Sequence, residues 1–120
     1  MPIYSVPALP FDYAFDPRTT VLLIIDMQRD FCEHGGFGEK LGNDITPTKS
    51  IIPVVKRMLE AARAQKMPII FTREGHRADL SSCPPNRVNR GNKPGAGIGD
   101  PGPMGRILIR GDGARLPVLC

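Results

Sequence analysis

Val21, Leu22, Leu23, Ile24 and Ile25 run without interruption into Asp26, Met27, Gln28, Arg29, Asp30 and Phe31. Five consecutive apolar residues with no alternation predict a short strand buried on both faces, as in a parallel sheet covered by helices. Asp26 then falls at the carboxyl edge of that strand, where open α/β sheets bind their ligands. That placement makes its carboxylate a candidate site group. The competing reading is a solvated turn aspartate that caps the next segment.

An irregular, proline-bearing arm over residues 1–17 precedes this strand, and a glycine-rich loop follows it to about Asn43. A helix is expected over residues 48–66, where Ile51, Ile52, Val55, Met58, Leu59 and Ala62 recur at steps of three and four. Lys56, Arg57, Glu60 and Arg63 fall mostly on its outer face. Pro53 fits only in the first turn, with Ser50 or a neighbour as the cap. Pro68, Ile69, Ile70 and Phe71 then supply a second buried strand. The unit is β-α-β, with parallel pairing and a right-handed crossover. Beyond Thr72 one further strand candidate remains, residues 106–110. The glycine- and proline-rich stretch before it is too long for an ordinary connector and predicts a functional loop or disorder.

A net charge of +4 and a pI near 9.3 raise nucleic acid as a partner. The sixteen Lys and Arg are scattered among twelve acids, however. Only Arg87, Arg90 and Lys93 cluster, with no aromatic for base stacking among them, so nucleic-acid binding is not expected. Gly97, Gly99 and Gly102 match the dinucleotide pattern, but no strand precedes them and Pro101 and Pro103 oppose the helix that should follow. The segment from Gly35 to Lys40 lacks the ending of a phosphate loop. Cys32, His34, His76 and Cys83 offer zinc-type donors at a spacing that is not a known pairing, and no metal is expected. Arg110, Gly111 and Asp112 form an integrin-type tripeptide, read as coincidence. The longest apolar run is far below a membrane span. An odd cysteine count of three, with no basic-then-apolar leader, favours reduced thiols in a cytoplasmic setting.

Residues 21–31 resemble the opening strand of the isochorismatase-like cysteine hydrolases, a superfamily that includes nicotinamidases, isochorismatases and amide and ureide hydrolases. More of the chain is similar to its biuret and ureidoacrylate amidohydrolase branch. The residues concerned are Gly35, Gly36, Phe37 and Gly38, the segment 72–77, Cys83 with Pro84 and Pro85, and the segment 95–103 leading into 106–111. The resemblance implies an α/β fold, a partial doubly wound parallel sheet of Rossmann-like, three-layer type whose C-terminal half is missing. Residues 18–111 would be the N-terminal part of such a domain, residues 1–17 an arm and residues 112–120 a divergent tail.

The resemblance also implies an Asp-Lys-Cys triad. The aspartate takes the cysteine proton, the lysine helps to hold charge, and the thiolate attacks the amide carbonyl to give an acyl-enzyme that water cleaves. Asp26 matches the family's aspartate; the lysine and the nucleophile belong to strand ends farther along. Phe37 would wall the pocket of a small planar amide or ureide, with Phe31 and His76 as further candidate substrate-binding residues. No cofactor is implied. Nicotinamidase relatives bind a metal through an aspartate and histidines after the second strand, where this chain has Arg73, Glu74, Gly75 and His76.

The cysteines present do not replace the nucleophile. Cys32 lies six positions after Asp26 in the following loop. Cys83 precedes two prolines, which are expected to oppose the helix start that would activate it. Cys120 stands beside a free carboxylate, whose charge disfavours a thiolate. Two functions follow: an amide hydrolase lineage, inactive in this chain alone, or a non-catalytic product, either a truncated fragment or a pseudoenzyme that binds a partner subunit. With strand surfaces left uncovered, a homo-oligomer or aggregate is the expected association.

Overall fold

A computed structural model of the chain describes residues 3–88, 97–100, 102, 104–117 and 119. The expected irregular arm contains β1 (Tyr4–Val6) and β2 (Tyr13–Phe15), paired antiparallel. The prolines that argued against strands, Pro7 and Pro10, lie in the connection between them. A cross-strand aromatic pair holds the hairpin, Tyr4 and Phe15 stacked at 5.9 Å, and Tyr13 stacks on Phe15 along β2 at 6.5 Å.

β3 (Leu22–Ile24) pairs in parallel with β4 (Ile69–Phe71), in the register Leu22 to Ile69, Leu23 to Ile70 and Ile24 to Phe71. The ladder continues past the strands. Thr72 N–H donates to Ile24 O at 2.9 Å and Asp26 N–H to Thr72 O at 3.3 Å. Asp26 and Thr72 therefore share the carboxyl edge.

Two single-turn helices, α1 (Arg29–Cys32) and α2 (Phe37–Lys40), occupy what was expected to be an open glycine-rich loop. The crossover helix is divided into α3 (Thr46–Ser50) and α4 (Ile52–Ala64). Pro53 lies in the first turn of α4, where its missing N–H would have no helical partner anyway. Ser50 is not the cap. Its hydroxyl donates to Pro47 O at 2.7 Å, and Ile51 occupies the cap position with no side-chain bond.

α4 buries Leu59 completely in a core with Ile24, Met27, Cys32 and Leu119, flanked by Leu22, Ile52, Val55, Ile69, Phe71 and Leu116. Leu116 and Leu119 thus contribute to the core, following a 3-10 turn at Asp112–Ala114. The expectation of strands buried on both faces is corrected. Leu23 and Ile70, paired on the opposite face, are 49% and 52% exposed, as are Val21 and Ile25 to a similar degree. The run lacks alternation because both faces are apolar, yet only the α4 side is covered.

The third strand candidate is also corrected. Residues 106–110 make one parallel bridge, His76 to Leu108, because Ile107 at φ 48° breaks the extended run. A further short helix, α5 (Pro85–Val88), starts at Pro85, so the prolines after Cys83 do not oppose a helix start: the first turn needs no N–H there. Among the described residues no helix is long and apolar enough to cross a membrane. Arg90, Lys93, Pro101, Pro103 and Cys120 lie outside the described residues. The architecture is that of a partial α/β domain.

Candidate active site

Where β3 ends, the backbone turns sharply: Asp26 has φ 53°, a left-handed conformation that aspartate tolerates better than most side chains. Such residues persist where their surroundings fix them, and they cluster at functional sites. Here Thr72 does the fixing. Its hydroxyl donates to Asp26 Oδ1 at 2.7 Å, and Asp26 N–H approaches the same hydroxyl oxygen at 3.1 Å. The carboxylate is half-buried and keeps acceptor capacity beyond the threonine bond. It can receive a proton from a group placed over the sheet edge.

Two positions after Asp26, Gln28 is fully buried. Its amide Nε2 donates to Glu74 O at 2.9 Å and its Oε1 accepts Glu74 N–H at 2.8 Å. This two-point contact copies a backbone pairing and locks the segment after β3 to the segment after β4. Asp30 is buried as well, accepting Gly105 N–H at 2.6 Å. Gly113 abuts the same carboxylate so closely that any Cβ there would collide with it. Lys40 Nζ donates to Met104 O at 2.9 Å. Residues 104–105 and 112–114 are thereby drawn over α1. Sequence reasoning missed both Gln28 and Asp30; in a turn that already carries Asp26 and Arg29, nothing local marks these two polar side chains for burial.

The other candidates are dispersed. Phe31 packs partly buried against the core cluster. Phe37 lines a hollow of ≈ 260 Å³ with Leu41, Glu74, Arg87 and Ile98, beside the Arg87 to Glu74 ion pair at 2.9 Å. His76 is buried and lines a separate cavity of ≈ 600 Å³. Asp26 lines neither hollow.

Cys32 and Cys83 are buried free thiols. Burial, and then the Glu33 charge, push the Cys32 thiol up from its ordinary value, away from the reactive thiolate. His34 Nδ1 faces Glu39 Oε2 at 2.7 Å on the surface. Among the described residues no three of His, Cys, Asp and Glu gather as a metal site requires.

Residues 20–109 match the Isochorismatase domain. The ureidoacrylate amidohydrolase RutB of Serratia proteamaculans (strain 568) is 38% identical over 71 residues, covering 59% of this chain and 29% of that protein. The ureidoacrylate amidohydrolase RutB of Pantoea ananatis (strain LMG 20103) is 31% identical over 114 residues, covering 88% of this chain and 43% of that protein. The chain thus spans less than half the length of these curated relatives.

Proposed function

We propose, on the premise that the chain belongs to the isochorismatase domain family, that it is the aspartate-bearing part of a hydrolase that cleaves an amide bond in a small ureide of the biuret or ureidoacrylate type. One observation carries the reading: the Asp26 carboxylate stands at the carboxyl edge of the parallel β3 and β4 pair, held there by Thr72 at 2.7 Å. In the reaction Asp26 takes the proton of a thiol. The thiolate attacks the amide carbonyl carbon, and the C–N bond breaks as Asp26 returns the proton to the leaving nitrogen. Water then cleaves the thioester.

The chain supplies the proton acceptor only. Cys32 is sealed in the core with its thiol disfavoured as thiolate, so the 120-residue chain is inactive by itself. Asp26 works when a lysine and a thiol are brought to the same sheet edge by further strands, in a longer form or in a partner chain. Phe37 and His76 line separate hollows that Asp26 does not reach, so the two contact substrate only once further strands complete the sheet edge; Phe31 packs against the core, and no cofactor takes part. Free thiols at Cys32 and Cys83 accord with a cytoplasmic setting. A second reading, a non-catalytic product that binds a partner subunit, is favoured by the exposed sheet face at Leu23 and Ile70.

The test is a graft. Residues 20–109 replace the matching segment of the Pantoea relative, and ammonia release from ureidoacrylate is measured. Activity is expected in the graft and none in the 120-residue chain. Asp26→Asn should lower turnover of the graft on the order of ten-thousand-fold. A well-folded graft that is inactive, or one indifferent to Asp26→Asn, would defeat the proposal.

A further inference from the structure

Two buried nitrogens in this protein, His76 Nε2 and Arg106 Nε, have no hydrogen-bond partner among the described residues. Both residues line the same ≈ 600 Å³ cavity, between the segment that follows β4 and residues 106–111. Buried polar groups are almost always paired, so two orphans at one cavity require a reason.

We propose that this cavity binds a small oxyanion, received by His76 Nε2–H and the Arg106 guanidinium, with Arg77 and Arg110 adding positive charge. Among the described residues three arginines and a histidine line it, and no carboxylate does. Three acids close by in sequence are engaged elsewhere. Glu74 pairs with Arg87 at 2.9 Å, Asp79 accepts Ser81 N–H at 3.0 Å, and Asp112 pairs with Arg115 at 3.4 Å. Leu108 and Ile109 form apolar walls, which strengthen the field of the cations inside. A planar guanidinium presents parallel donors that match two oxygens of a carboxylate or phosphate. The imidazole supplies a third donor in its Nε2–H tautomer.

The donors are placed by backbone rather than left to float. His76 N–H donates to Ile107 O at 2.9 Å and its carbonyl accepts Ile109 N–H at 3.0 Å. Arg106 O accepts Gly99 N–H at 2.8 Å. Gly75 permits the close approach: a Cβ there would sit 2.7 Å from Ile109 N.

His76 is shared with the proposed function, and to that extent the inference rests on it; the readout below is binding, so the two can fail separately. The chain has only two histidines, which makes their imidazole nitrogens separable by NMR. The ¹⁵N-labelled chain is titrated with acetate and, separately, with inorganic phosphate, chloride holding the ionic strength constant. A saturable shift of His76 Nε2 with His34 unmoved is expected. Acetate saturation identifies an organic acid as the ligand class, and saturation by phosphate alone identifies a phosphate. Arg106→Lys, which keeps the charge and loses the fork, should weaken binding about tenfold or more. Arg77→Met, at an exposed position, should weaken it several-fold without a folding penalty. No saturation with either anion, or unchanged affinity in both variants, would overturn the proposal. Saturation at His76 together with an inactive graft would leave the oxyanion site standing and remove the hydrolase reading.

Discussion

Thr72 holds Asp26 at two atoms, accepting toward its backbone N–H and donating to its carboxylate. Thr72→Val keeps the shape and removes both bonds, leaving a half-buried carboxylate at a left-handed backbone position without its partner. A loss of about 1–2 kcal/mol is expected, read as a lower denaturation midpoint, with Thr72→Ser close to the parent. A loss in Thr72→Ser with none in Thr72→Val would show that the methyl group matters instead of the hydroxyl. A second residue-scale effect concerns titration. The Arg18 guanidinium, and after it the Arg18 backbone N–H at 2.9 Å, hold the Asp16 carboxyl down from 3.8 to about 2. A depressed carboxyl contributes stability above its unfolded value and loses it as pH falls through the folded one, here between about 4 and 2. The pair is exposed, so solvent screening keeps that contribution small. Arg18→Ala should raise the Asp16 carboxyl part of the way toward its ordinary range, because the backbone N–H of residue 18 still donates to Oδ1, measurable from its ¹³C shift against pH.

At the scale of elements, what was legible depended on how far apart the interacting residues lie. The apolar steps from Ile52 to Ala62 sufficed for α4, and the run from Val21 to Ile25 sufficed to put Asp26 at a strand end, because both signals are local. The hairpin of β1 and β2 was not legible, since its three-residue strands are too short for a period and its stability comes from stacked rings across the turn. Residues 106–110 look like a strand in composition, yet Ile107 adopts φ 48° to bring the chain against His76, a tertiary demand that no propensity records. The site divides the same way. The place of Asp26 at the strand edge was visible, whereas the burial of Gln28 and Asp30 depends on partners 46 and 75 residues away. A polar residue destined for the core carries no mark of it until its partner's position is known.

For the molecule as a whole, the decisive feature is a two-stranded parallel sheet covered by α4 on one side only. Leu23 and Ile70 stand side by side on the open face, with Val21 and Ile25 along the same strand, and both strands have an outer edge free of a ladder partner among the described residues. Each such side chain left in water forgoes roughly 1.5–3 kcal/mol of burial. Against a typical total stability of about 5–15 kcal/mol, that deficit favours association over an isolated monomer. Open edges offer a template for it. The purified chain should therefore show a mass above 13.1 kDa that rises with concentration in light scattering. Leu23→Lys with Ile70→Lys places two charges on the open face, away from Leu59 and the covered core, and should shift the chain toward the monomer mass. A parent chain that is already monomeric, with a sharp and cooperative thermal transition, would mean that the open face is tolerated and that the sheet needs no partner to be stable.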